Sequence, residues 1–214
     1  MEKFKFYIKW FLTSLIWLFP LLLILDIVTK WSFNNALVIG INSQGQAISN
    51  SITVIPNFFY FEVLYNKGAA WGSFSGKKAL LVTISLVASL LIGGYLIWKW
   101  KKLSKFNKVC LLLCLSGAVG NFIDRAFYKE GVIDFIQFKF GNYVFPTFNL
   151  ADSYLVIGVI LFIISTFVEE FKEKNKEIDK EFDSQKVEEN IKKAGLNEKI
   201  DNKEKTTLED KKDE

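Results

Sequence analysis

Asn66, Asn121, Asp124, Arg125, Asn149 and Asp152 stand at the ends of strongly apolar runs, and Asp134 stands between the last two of those runs. A charge at the edge of an apolar helix is costly unless something pairs it or uses it. Two carboxylates held a few ångströms apart cannot both ionise comfortably, so they share one proton and their titrations separate. Such a pair is chemically complete for peptide hydrolysis. The ionised member takes a proton from the attacking water, while the protonated member donates to the carbonyl oxygen and later helps protonate the leaving amine. The chain has no histidine at all. That excludes Ser-His-Asp and Cys-His mechanisms and any histidine-ligated metal site, leaving carboxylates, lysine and water for any chemistry. No metal and no cofactor is expected.

Each of these residues also has a plainer use. Asp124 beside Arg125 fits a simple interfacial ion pair, Asn149 or Asp152 fits a helix cap, and Asp134 fits a solvated acid in a loop. Residue type alone leaves Asp124, Asp134 and Asp152 all open as members of a catalytic pair. Their joint occurrence at one end of several apolar runs is what argues for a site.

The elements that must position them are membrane helices. Of 214 residues half are hydrophobic, with 21 Phe and 6 Trp, and mean hydropathy is +0.21. That apolar content is gathered at 10–25, 79–98, 109–123 and 151–168, each near the roughly 20 residues that a helix needs to cross a bilayer. We therefore expect four spans. The first lacks a small-x-small cleavage pattern after it and reads as a retained anchor rather than a secretory leader. Lys3, Lys5 and Lys9 precede that span, and Lys99, Lys101, Lys102, Lys105 and Lys108 fill the link between the second and third. The positive-inside bias puts both segments and the C-terminus in the cytoplasm, with 31–78 and 124–150 outside. All the polar clusters then lie at the outer face.

Within the first span, Pro20 is placed to kink the helix. Asp26 and Lys30 share a helical face at i and i+4 and can pair. Residues 32–51, rich in Asn, Ser and Gly, read as an irregular outer loop. "ITVIPNFFYFEVLYN" reads as two short strands, and a sheet of aromatics there suits the lipid surface. Gly117 and Gly120 allow close packing of the third span, and Cys110 and Cys114 on that span read as packing residues. The domain organisation is a membrane domain over 1–170, with an outer β-cradle at about 31–78, and a charged tail over 171–214, partly helical or disordered. The net charge of +4 and pI near 8.9 come from juxtamembrane lysines and the tail, so no nucleic-acid partner is expected.

"NKGAAWG", "SGAVGNFIDR", "GVIDF" and "FNLADS", in this order around the second to fourth spans, with "DIVTK" in the first, resemble lipoprotein signal peptidase, or signal peptidase II. The likeness runs from about Asp26 to Val168. It implies an α-helical membrane protein of four spans with a small extracytoplasmic β-sheet or cradle and a charged cytoplasmic tail, located in the bacterial plasma membrane. It also implies cleavage of prolipoproteins just before a diacylglyceryl-modified cysteine, by a monomer whose partners are membrane lipid and the lipidated precursor. The resemblance assigns the catalytic pair to Asp134 and Asp152, substrate binding to Asn66, Gly68, Asn121, Arg125, Asn149 and Ala151, and structural support to Asp26, Lys30 and Asp124. Trp71 stands where the pattern has Phe, and the stretch from Arg125 to Asp134 is one residue longer than that pattern. Two readings from other classes compete: a small ion or proton transporter, which calls for acids near the midplane of facing spans, and a noncatalytic scaffold, in which the acids are replaceable.

Overall fold

The computed structural model describes residues 13–68 and 77–210 together with Glu2, Lys3 and Lys5, and side chains as far as Lys192 apart from those at 188 and 191. Trp71, Lys9 and the beginning of the first expected span lie outside the described residues. The chain divides into two compact units, Met1–Ser165 and Thr166–Glu214.

In the first unit, helix α1 (Leu18–Leu37) is followed by strands β1 (Val38–Ile41), β2 (Ala47–Ser49), β3 (Ser51–Ile55) and β4 (Phe59–Asn66). Helices α2 (Lys78–Lys99) and α3 (Lys105–Phe127), strands β5 (Val132–Phe140) and β6 (Tyr143–Val144) and the start of helix α4 (Leu150–Asp210) complete it. Among the described residues three helical stretches are long and apolar enough to cross a membrane: Lys78–Lys99, Lys105–Phe127 and Leu150–Val187. Many of their large apolar side chains are exposed, such as Leu90, Leu91 and Ile97 on α2 and Ile160 and Phe167 on α4. Such faces belong against lipid rather than water.

Pro20 does not kink α1. It lies in the helix's first turn, where the missing N–H would have had no intrahelical acceptor. The irregularity falls earlier, at Leu15, whose φ of 64° is unusual for a branched side chain.

The expected loop at 32–51 is ordered structure instead. α1 runs on to Leu37, and β1 and β2 then form an antiparallel hairpin. Tertiary contacts outweigh the weak helix preference of Ser32, Asn34 and Asn35. Phe33 lies 4.5 Å from the rings of both Phe61 and Phe135, the Tyr65 hydroxyl donates to Asn34 Oδ1 at 2.8 Å, and Leu37 is buried with Val63, Tyr65, Ile133 and Phe135.

The two expected strands are part of a four-stranded antiparallel sheet in the order β3-β4-β5-β6. Pro56 and Asn57 make its first turn: Phe58 N–H donates to the Ile55 carbonyl at 3.1 Å, and Asn57 takes the positive φ, 62°, that the third position of a type II turn requires. Asp134, expected in a loop, lies within β5 opposite Leu64. Beyond β6 the chain returns to the sheet, where Ile136 bridges Phe148. That bridge fixes the residue before Asn149.

Close helix packing sets the rest. A Cβ on Gly117 would collide with the Ala151 carbonyl oxygen, and one on Gly120 would lie 2.5 Å from Asp26 Oδ2. Gly158 of α4 reciprocates, because a Cβ there would lie 2.7 Å from Cys114 Sγ. Cys110 and Cys114 are buried free thiols at this contact. Small residues on both helices let the backbones approach. In the second unit the chain is helical through Asp210.

Candidate active site

The site forms where the C-terminal halves of α1 and α3 meet β4, β5 and the first turn of α4. Asn149 precedes α4, and its Oδ1 accepts from Asp152 N–H at 3.0 Å while Asp152 Oδ2 accepts from Asn149 N–H at 3.3 Å. This is a capping box with Asp in the place of the usual Glu. The Asn149 side chain also faces β5 and donates to Asp134 Oδ1 at 2.7 Å. One residue thus holds both carboxylates.

The sheet register brings in Asn66. It pairs with Val132, so Asp134 is its diagonal neighbour on the same face, and Asn66 Nδ2 donates to Asp134 Oδ2 at 2.9 Å. Alternation then sends Ile133 and Phe135 into the aromatic core on the other side. Gly68 N–H donates to Asn66 Oδ1 at 3.0 Å and steadies that amide. Gly131 is indispensable to the approach: its φ is +104°, and a Cβ would strike the Asn66 carbonyl oxygen. Asn121 completes the set by donating to Asp152 Oδ1 at 2.7 Å.

Beneath these groups lies a buried ionic cluster. Lys30 Nζ is 2.8 Å from Asp26 Oδ2, 2.9 Å from Asp124 Oδ2 and 3.3 Å from Asn121 Oδ1. Asp124 therefore does not pair with Arg125, as the sequence suggested. Adjacent residues of a helix point about 100° apart, whereas Lys30 reaches across from α1. Asp26 Oδ1 also accepts from Ala151 N–H at 2.9 Å, which ties α1 to the first turn of α4. Ala151 itself is fully buried. Arg125 donates to Ser85 Oγ of α2 at 3.2 Å. Ser85 was not marked by the sequence, because "VTISLVAS" carries three hydroxyls and only the fold shows that Ser85 is the buried one facing Arg125.

The two acids differ in environment. Asp134 is 1% exposed, whereas Asp152 is half-buried. Burial, and next the charge of Asp152, push the Asp134 carboxyl up from 3.8 to about 8, against the opposing pull of the Asn66 amide, Lys30 and the Asn149 amide. That shift favours the protonated form of Asp134 at neutral pH.

Residues 18–168 match the family described as signal peptidase (SPase) II. The chain belongs to the signal peptidase II family. A lipoprotein signal peptidase of Listeria monocytogenes serotype 4b (strain CLIP80459) is 39% identical over 144 residues, covering 67% of this chain and 86% of that one. One from Bacillus pumilus (strain SAFR-032) is 43% identical over 142 residues, 65% of this chain and 83% of its own length. The fold is likewise similar to a solved structure titled "Bacterial membrane enzyme structure by the in meso method at 2.3 A resolution", with a TM-score of 0.60 at 35% identity, covering 74% of this chain and 89% of that one. A second with the same title at 1.9 Å has a TM-score of 0.56 at 36% identity and covers 72% and 92%. In this signal peptidase II chain, the matched region contains every residue of the site.

Proposed function

We propose that this chain is an aspartic endopeptidase of the bacterial plasma membrane that removes signal peptides from prolipoproteins by cleaving before the diacylglyceryl-modified cysteine, with Asp134 and Asp152 as its catalytic pair. The observation that carries the assignment of the pair is the double attachment of Asn149, by side chain to Asp134 and by backbone to Asp152. It supports two carboxylates facing one reacting centre.

Asp152, reachable by solvent, takes a proton from water as the water oxygen bonds to the scissile carbonyl carbon. Asp134 donates its proton as a hydrogen bond to the carbonyl oxygen, where negative charge develops. When the C–N bond breaks, the amine takes the proton that Asp152 gained. The pair is left singly protonated for the next cycle. Asn66 and Asn121 keep the two carboxylates oriented, and Arg125 supplies positive charge toward the substrate backbone. The triad of Asp26, Lys30 and Asp124 fixes the helix ends on which this geometry depends.

The arrangement in the membrane is part of the same proposal. The chain crosses four times, with α1 and the residues before it as the first span, both termini in the cytoplasm and the dyad at the outer face. The lysines at both cytoplasmic segments support that orientation. Residues 1–170 form the peptidase domain and 171–214 a tail without a catalytic role, and the enzyme acts as a monomer.

The test is cleavage of a synthetic lipid-modified precursor by the purified protein, with products identified by mass spectrometry. Wild type should release the signal peptide at the bond before the lipidated cysteine, and Asp134→Asn and Asp152→Asn should not. Cleavage of an unlipidated control at the same rate, or normal turnover by either variant, would refute the proposal.

A further inference from the structure

Asn66, which holds Asp134, also lines a cavity of about 220 Å³ together with Lys67, Lys78, Arg125, Lys129 and Gly131. Among the described residues that line it, four are cationic and none is a carboxylate. Lys78 opens α2, whose first turn has no acidic residue. Cations at a helix N-terminus are disfavoured by the helix dipole, so charge is concentrated here against local preference. On the orientation proposed above these lysines also run against the positive-inside bias. Arg125 Nε is buried without a hydrogen-bond partner, so the guanidinium retains a donor beyond the one given to Ser85. These features together describe a seat for an anion with several acceptor oxygens.

The position narrows the anion further. The cavity lies at the adjoining ends of α2 and α3, the level at which a spanning helix meets lipid headgroups, and the same ends carry exposed Leu80, Ile84 and Phe127. We infer that the cavity binds the phosphate of an anionic membrane phospholipid, with the acyl chains along the apolar flank of these two helices. A peptide carboxylate would use the charge but not the flank.

Full-length protein in detergent would be titrated with dioctanoyl phosphatidylglycerol, dioctanoyl phosphatidylcholine and inorganic phosphate, and bound lipid read by native mass spectrometry. Phosphatidylglycerol should be retained at least about tenfold more tightly than phosphatidylcholine, and Lys78→Gln/Lys129→Gln should weaken it by about tenfold, in line with the contribution of a lysine near an anionic lipid surface. Lys78 also donates to the Tyr128 carbonyl at 2.8 Å. If the double variant fails to fold, Lys129→Gln alone at an exposed position should still weaken binding severalfold. Equal retention of the two lipids, or no effect of either variant, would overturn the inference. So would displacement of phosphatidylglycerol by an equal concentration of inorganic phosphate, which would mark a free-anion pocket. Loss of precursor cleavage in the variant with unchanged lipid binding would instead assign the pocket to the substrate.

Discussion

Asn149 and Asp152 hydrogen-bond each other in both directions, so the carboxylate proposed to activate water is also the N3 member of a helix capping box. Structural and chemical roles are not alternatives at this position. Asp152→Asn has one side-chain acceptor where Asp152 offers two oxygens, to Asn121 and to Asn149 N–H. Stability should therefore fall by about 1 kcal/mol, while turnover should fall on the order of a thousandfold or more. Thermal unfolding and single-turnover cleavage of the same preparation separate the two losses.

Asp134 makes the pH dependence one-sided near neutrality. Its carboxyl lies at about 8 in the folded protein, so activity should decline as pH rises through that value and the shared proton is lost. The unfolded chain ionises this group near pH 4. Between those values the folded state holds the extra proton, and stability attributable to Asp134 decreases as pH rises. Asp134→Asn should accordingly be inactive, and its stability relative to wild type should rise by a margin that grows from pH 5 to pH 9. A margin that shrinks over this range would show that the carboxylate is well solvated.

Lys30→Met should be far more damaging than loss of either acid beside it. It leaves Asp26 and Asp124 facing each other in a site where Asp26 is 0% and Lys30 2% exposed, and breaking a buried ion pair from one side costs about 3–5 kcal/mol. Asp124→Asn keeps the Asp26–Lys30 pair and should cost less. Unfolding in detergent, ranked across the two variants, checks the order.

Gly131→Ala should impair catalysis through Asn66. The added methyl meets the Asn66 carbonyl at a backbone angle that side chains rarely adopt, so the strand end must move and the amide that holds Asp134 moves with it. We expect turnover to fall by about tenfold or more with substrate affinity nearly kept. An Asn66→Ala variant should show the same pattern.

What the sequence made legible was chiefly local. The apolar runs marked the three described helices that are long enough to cross a membrane, the i and i+4 spacing of Asp26 and Lys30 gave their pair, and the β-branched and aromatic run from Ile52 to Asn66 gave two strands. The partner of Asp124 was hidden because neighbours along a helix do not face one another and Lys30 comes from another element. Helix through Ser32–Asn35 was hidden because Phe33 and Asn34 are held by the sheet, not by their own propensity. The resemblance singled out Asp134 and Asp152, but only the fold shows Asn149 joined to both. Ser85 required knowing that Arg125 points at α2.

The pairing of Asn66 with Val132 has a consequence for how this protein can vary in length. Every second residue of β5 faces the dyad, so a single insertion inside the strand would exchange Asp134 for an aromatic or aliphatic neighbour and send the acid into the core. An additional residue between Arg125 and Asp134, as the resemblance implies, would be absorbed in the turn ahead of Val132, around Lys129 and Glu130, which is not among the residues paired to β4. Chimaeras that cross over within that turn should keep a working acid, whereas those spliced between Val132 and Phe135 out of phase should lose it without losing the fold of the helices.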